Sequence, residues 1–253
     1  MCFIVGYVTK KPADLLMRAV VKILLDSGAT NKDATGLAWF EEDVVHGVKG
    51  GFEAKEFVDA VHDNLPVDRR IVIGHVRTST GGSPRNNANN HPVINKDVYL
   101  IHNGSVYGGL PAADVVDTMK LAVACNAKPD LIESICDIGN SLSGWYACAV
   151  LSNRLPGKLL LFRHNAKMEI TYVPTLETVF FSTDSRFVVS AISSARPILG
   201  GLFHKYSTPI CHTATLPAGK LLVLDQDLDW QFYEMNAPAV EMSEFAKGAN
   251  LWQ

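Results

Sequence analysis

The chain has 253 residues, 47% hydrophobic and 19% charged, a balance ordinary for a folded protein with a sizeable core. Lys and Arg number 23 against 26 Asp and Glu, so the net charge is −3, and no basic excess points to nucleic acid or an anionic membrane surface. No apolar run approaches the ~18 residues of a membrane span, and the N-terminus has neither the basic stretch nor the apolar length of a secretory leader, so a cytoplasmic location is expected.

Phe3 to Val8 is β-branched and apolar and reads as a short buried strand. Pro12 opens a helix whose Leu15, Leu16, Ala19, Val20, Ile23 and Leu24 recur at helical spacing, with Gly28 as its stop. Thr35 to Phe40 and Val44 to Val48 read as a strand pair. Phe57 to Leu65 reads as a second helix ended by Pro66, and Ile71 to Val76 as a strand. A loop rich in Gly, Ser, Asn and Pro runs from Thr78 to Pro92, before a strand over Val98 to His102. Two helical segments are predicted over Ala112 to Ala124 and Pro129 to Leu142. Strands follow at Trp145 to Leu151, Lys158 to Phe162, Glu169 to Val173, Thr178 to Ser182, Lys220 to Leu224 and Trp230 to Tyr233, interrupted by a helix at Arg186 to Ile192. Many strands with helices in separate groups predict an α+β layered sandwich over residues 2–235, with residues 236–253 as a tail.

The cysteines are Cys2, Cys125, Cys136, Cys148 and Cys211, an odd number with no C-x-x-C pair. That spacing argues against a zinc ribbon or a redox pair. Cys125, Cys136 and Cys148 sit among apolar neighbours and read as small buried hydrophobes.

Cys2 is different. A small penultimate residue favours removal of Met1, which would leave a thiol and a free α-amine on one residue, although a Cys at position 2 also reads as an accident of sequence. The amine's reference pKa of about 7.7–8.0 suits it to take the thiol proton near neutral pH. A second candidate is Arg77, in Gly74-His75-Val76-Arg77-Thr78-Ser79-Thr80-Gly81-Gly82. A guanidinium beside hydroxyls suits a carboxylate, although an Arg here also reads as a surface side chain in a turn. A third is His102-Asn103-Gly104, after Asn90-His91-Pro92. An Asn amide next to a Gly N–H makes a two-donor pocket for an oxyanion, although Asn-Gly after a strand also reads as a hairpin turn.

Taken in this order, the pieces resemble the glutaminase domain of class II, N-terminal-nucleophile glutamine amidotransferases: an N-terminal Cys, a G-H-x-R-x-x-T loop, an N-x-H-P element and an H-N-G. Asp33-Ala34-Thr35-Gly36-Leu37-Ala38 is similar to the family's D-x-x-G-x-A strand, but Asn31-Lys32 stands where an Arg-Gly usually precedes it. Asp117-Thr118, Gly144 to Val150 and Phe181-Ser182-Thr183-Asp184 add weaker matches. The resemblance implies a four-layer αββα sandwich of two mainly antiparallel sheets. It also implies roles by position. Cys2 is the nucleophile with its own amine as base, and Asn103 and Gly104 form the oxyanion hole. Arg77 and Thr80 bind the substrate carboxylate, and Asp117, with Asp114 as a rival, binds its ammonium. No metal or organic cofactor is implied, and His75, His91 and His102 are expected to be structural. His164-Asn165 repeats the His-Asn pair without the Gly and is set aside. Three functions are compatible: a glutaminase that supplies ammonia to a separate synthase, a free-standing γ-glutamyl amidohydrolase, and a non-catalytic interaction protein that keeps the fold.

Overall fold

The computed structural model describes residues 2–108, 115–194 and 210–236. Two antiparallel sheets lie face to face. The first is ordered β11-β9-β10-β1-β4-β2-β3 and the second β13-β12-β8-β7-β6-β5. In chain order the first sheet's strands are β1 (Phe3–Thr9), β2 (Ala34–Glu41), β3 (Val44–Gly50), β4 (Ile71–Arg77), β9 (Glu169–Val173), β10 (Thr178–Ser182) and β11 (His212–Thr215). The second holds β5 (Val93–Asn95), β6 (Val98–Gly108), β7 (Leu142–Ser152), β8 (Lys158–His164), β12 (Lys220–Asp225) and β13 (Trp230–Glu234). The helices are α1 (Asp14–Gly28), α2 (Ala54–Val61), α3 (Thr118–Ala124), α4 (Leu131–Cys136) and α5 (Ser185–Ser194).

Three apolar layers hold these together. Ile4, Val8, Ile73, Ile101, Ala147, Ala149 and Leu161 meet between the sheets. On the outer face of the first sheet Phe3, Val5 and Tyr7 pack with Leu16, Val20, Ile23 and Leu24 of α1 and with residues of α2 and α5. On the outer face of the second, Leu100, Tyr146 and Val150 pack with Leu121 and Ile135 of α3 and α4. The order is therefore helix, sheet, sheet, helix, as expected. β1 lies between β10 and β4, and all seven of its residues are buried. A strand covered on both faces has no polar face to alternate with, which explains its unbroken apolar run.

Several expectations shift. The Phe57 to Leu65 helix begins at Ala54 and is a 3-10 turn by His62–Asn64. α3 begins only at Thr118, because the Val116 N–H is bonded to Asn89 Oδ1 rather than to a preceding helical turn; residues 112–114 lie outside the described residues. The Pro129 to Leu142 segment is helical only to Cys136, with a 3-10 turn at Ile138–Asn140, and Leu142 already pairs with Gly108 as the first residue of β7. β5 and β11 were not expected. Of the proposed tail, residues 237–253 lie outside the described residues.

Candidate active site

Antiparallel pairing of Phe3 with Val76 sets Cys2 opposite Arg77, where β1 and β4 end together. The Cys2 thiol donates to the Thr78 carbonyl at 3.4 Å. Burial pushes the thiol pKa up; the Thr78 backbone and the Arg77 charge oppose the rise and Asp117 adds to it. In this arrangement the sulfur is therefore held as a thiol and needs a base to become a nucleophile.

Arg77 is 2% exposed, which removes the reading of a surface arginine in a turn. Its Nη1 donates to Asn90 Oδ1 at 2.9 Å, and its Nη2 donates to the carbonyls of Gly81 and, at 2.8 Å, Gly82. Arg77 thus draws the tip of the 78–82 loop down over Cys2. Asn90 and His91 are held from the other side. Lys49 Nζ donates to the carbonyls of Asn90 and Pro92, both at 2.8 Å, and burial lowers the Lys49 pKa to about 8. Gly36, opposite Lys49 across β2 and β3, makes room for this segment: a Cβ there would lie 2.1 Å from the His91 carbonyl oxygen. The glycine of the D-x-x-G stretch is required by that close approach.

Asn103-Gly104 is not a hairpin turn. It lies within the eleven-residue β6, at Asn103 opposite Ala147 and Gly104 opposite Tyr146. Gly104 has φ +139°, and a Cβ would lie 2.0 Å from the Trp145 carbonyl oxygen, so only glycine fits. β5 covers β6 only as far as Leu100, which leaves the rest of that edge to side chains. His75 Nε2 donates to the His102 carbonyl at 3.0 Å, and the Val106 N–H donates to Asp117 Oδ2 at 2.8 Å. Gly104 thus stands in sequence between two residues, His102 and Val106, whose backbone groups are capped by side chains. Asn103 is 1% exposed, and its side-chain oxygen has no partner among the described residues.

The three motif histidines form a buried cluster around one hydroxyl. His91 Nε2 and His102 Nδ1 each lie 2.9 Å from Thr118 Oγ1, and His75 stacks on His91 with ring centroids 3.9 Å apart. Burial lowers the His75 pKa to about 3 and that of His102 to about 4, and holds His91 well below the ordinary value. Burial thus disfavours the charged form of each imidazole, and the Thr118 hydroxyl can accept from a ring nitrogen and donate to one. Among the described residues no group of His, Cys, Asp or Glu is arranged to hold a metal ion, and no helix is long and apolar enough to cross a membrane.

Cys2, Arg77, Thr80, Gly104 and Asp117 line one cavity with Thr78, Gly81, His91, His102, Val116 and Thr118. Asn103, the chain neighbour of Gly104, is not among the lining residues. Asp114 lies outside the described residues. The cavity is about 10 Å³, room for roughly one water. Through Thr80, Gly81, Val116 and Asp117 it adjoins a second, open cavity of about 960 Å³. Thr78 and Lys49 were not singled out from sequence, and Asn31 was quoted only as a departure from the family pattern. Thr118 was quoted only as the neighbour of Asp117.

Two antiparallel sheets between helical layers, with the first strand central and a cavity at its end, are the fold of the N-terminal-nucleophile glutamine amidotransferases. The chain superposes on glutamine phosphoribosylpyrophosphate amidotransferase from Bacillus subtilis with a TM-score of 0.65 at 13% identity, over 92% of this chain and 49% of that one. It superposes on a glutamine aminotransferase class-II domain protein from Silicibacter pomeroyi with a TM-score of 0.51 at 11% identity, over 94% and 100%. In sequence it is similar to glutamine–fructose-6-phosphate aminotransferase (isomerizing) of Clostridium perfringens, 27% identical over 184 residues, 66% of this chain. The chain matches only 29% of that relative's length. No protein-family model matches. The resemblance read from the motifs therefore extends to both sequence and fold.

Proposed function

We propose that this chain is a glutaminase in which Cys2, exposed by removal of Met1, hydrolyses the side-chain amide of glutamine to glutamate and ammonia. The observation that carries this reading is the shared cavity of Cys2, Arg77, Gly104 and Asp117 at the open edge of β6. The loop lifts, and a substrate carboxylate takes over Arg77 donors now spent on the Gly81 and Gly82 carbonyls, with Thr80 beside it. The Asp117 carboxylate holds the substrate ammonium. The Cys2 amine takes the thiol proton, and the sulfur attacks the amide carbon. The Gly104 N–H and the Asn103 amide stabilise the oxyanion, each donor being worth about 3 kcal/mol of barrier. The protonated amine passes its proton to the leaving nitrogen, ammonia departs, and water hydrolyses the thioester to glutamate. These steps need no metal or organic cofactor.

The test is release of glutamate from glutamine by protein whose N-terminus is Cys2. Wild type is expected to be active, and Cys2→Ala and Met1-retaining protein inactive. An active Cys2→Ala protein refutes the mechanism. The ammonia is proposed to serve a separate synthase, whose addition should accelerate glutamine hydrolysis. A second reading, a free-standing γ-glutamyl amidohydrolase, is favoured by the adjoining cavity of about 960 Å³, far larger than glutamine needs. It expects fast turnover of the chain alone and a preference for a larger γ-glutamyl substrate. A non-catalytic role is disfavoured because Cys2, Arg77, Asn103 and Gly104 are all present; stabilisation by glutamine or glutamate would count further against it.

A further inference from the structure

The root of the 78–82 loop is held by one short stretch, residues 31–33. The Asp33 N–H donates to the Arg77 carbonyl at 3.1 Å, and Asp33 Oδ2 accepts from the Ser79 N–H. Between them the Thr78 hydroxyl is bonded to Asn31 Oδ1. Three consecutive residues are thereby fixed, and the middle one carries the carbonyl that accepts the Cys2 thiol. Asn31 is itself anchored. It is 4% exposed, and its Nδ2 donates to the Ser27 carbonyl at 2.8 Å, in the last turn of α1, and to Thr30 Oγ1 at 3.3 Å.

This wiring has one direction. A backbone carbonyl only accepts, so the Asn31 nitrogen faces Ser27 and its oxygen faces Thr78, whose hydroxyl must donate. Asn31 stands where the resemblance would place an arginine. A guanidinium has five donors and no acceptor, so it could not take that proton. An asparagine can donate to α1 and accept from the loop at once.

We propose that Asn31 is a positioning residue for the nucleophile, acting through the Thr78 hydroxyl to hold the Thr78 carbonyl against Cys2 Sγ. The proposal rests on the reading of Cys2 as nucleophile. Asn31 touches neither sulfur nor substrate. It sets where the sulfur points, and a misplacement of about 1 Å at a reacting atom can cost on the order of 100-fold in rate.

The test is a double-mutant cycle on protein beginning at Cys2, with Asn31→Ala, Thr78→Val and the pair. The readouts are kcat and KM for glutamine, the rate of Cys2 alkylation by iodoacetamide, and thermal unfolding. Each single variant is expected to lower kcat about tenfold with KM within about twofold, and to slow alkylation. The double variant should be no slower than the slower single, because both cut one link. Thr78→Ser, which keeps the hydroxyl, should recover most of the rate lost in Thr78→Val. Multiplying losses, or wild-type kcat and alkylation with only a lowered Tm, overturn the proposal. If Asn31→Ala does not fold, Thr78→Val against Thr78→Ser decides, and equal rates overturn it. If wild type hydrolyses no glutamine, the glutaminase reading fails separately. Alkylation then still decides the positioning, and equal rates in wild type, Asn31→Ala and Thr78→Val overturn it.

Discussion

At the scale of single residues, the proposed function gives Asn103 and Gly104 different expected effects on activity and folding. The Asn103 side-chain oxygen has no partner among the described residues, so truncating the side chain should cost little stability. Asn103→Ala is expected to lower kcat by about 100-fold or more with a small change in Tm, measured by steady-state glutaminase kinetics and calorimetry. Gly104→Ala is expected to act on the fold instead. Its φ of +139° and the Trp145 oxygen 2.0 Å from the added carbon leave no place for a methyl group. The cost should be about 3 kcal/mol, roughly 10 °C in Tm. The Asn-Gly pair shows where sequence reading stops. Its composition suits a hairpin turn, and only the pairing with β7, set by residues about 40 positions away, reveals a strand.

At the scale of elements, the first turn of α3 is tied to β6 and to the segment before β5 by a hydroxyl. Thr118→Val would leave His91 Nε2 and His102 Nδ1 facing a methyl group and loosen the Asp117 bond to Val106. We expect a loss of about 2–3 kcal/mol in urea unfolding, and a KM for glutamine that rises more than kcat falls. The long apolar elements were legible. α1 keeps its helical spacing because one face packs on β1 and β4, and β9 and β10 have the expected bounds. β5 and β11, of three and four residues, are too short to show a period, and their pairing partners create them. The start of α3 was missed because Asn89, far away in sequence, holds the Val116 N–H.

At the scale of the whole molecule, a layered α+β sandwich was legible from helices in separate groups among many strands, and its four-layer order only through the family resemblance. The network within it was not. The motifs are separate in sequence, yet Asp33 holds Ser79, Arg77 holds Asn90, and His75 holds His102. The histidines also give the molecule an acid sensitivity. Burial lowers their pKa in the fold and leaves them free to charge in the unfolded chain, so the unfolded state binds more protons below the ordinary value of 6.5. Stability should therefore fall as pH drops from 6.5 towards about 4 for His102 and about 3 for His75. Each contributes about 1.4 kcal/mol per pH unit. Urea unfolding at about pH 7 and pH 5 should differ by on the order of 2–4 kcal/mol; equal stabilities would mean that these imidazoles are not held neutral.

The most direct test of Cys2 as the nucleophile is mass spectrometry of protein beginning at Cys2 after exposure to a glutamine-like chloroketone. Burial raises the pKa of each of the other four thiols, and none lines the cavity. A single adduct on Cys2, suppressed by excess glutamine and absent from Cys2→Ala, is the expected result. Failure to label, or adducts on other cysteines that glutamine does not suppress, would contradict the account.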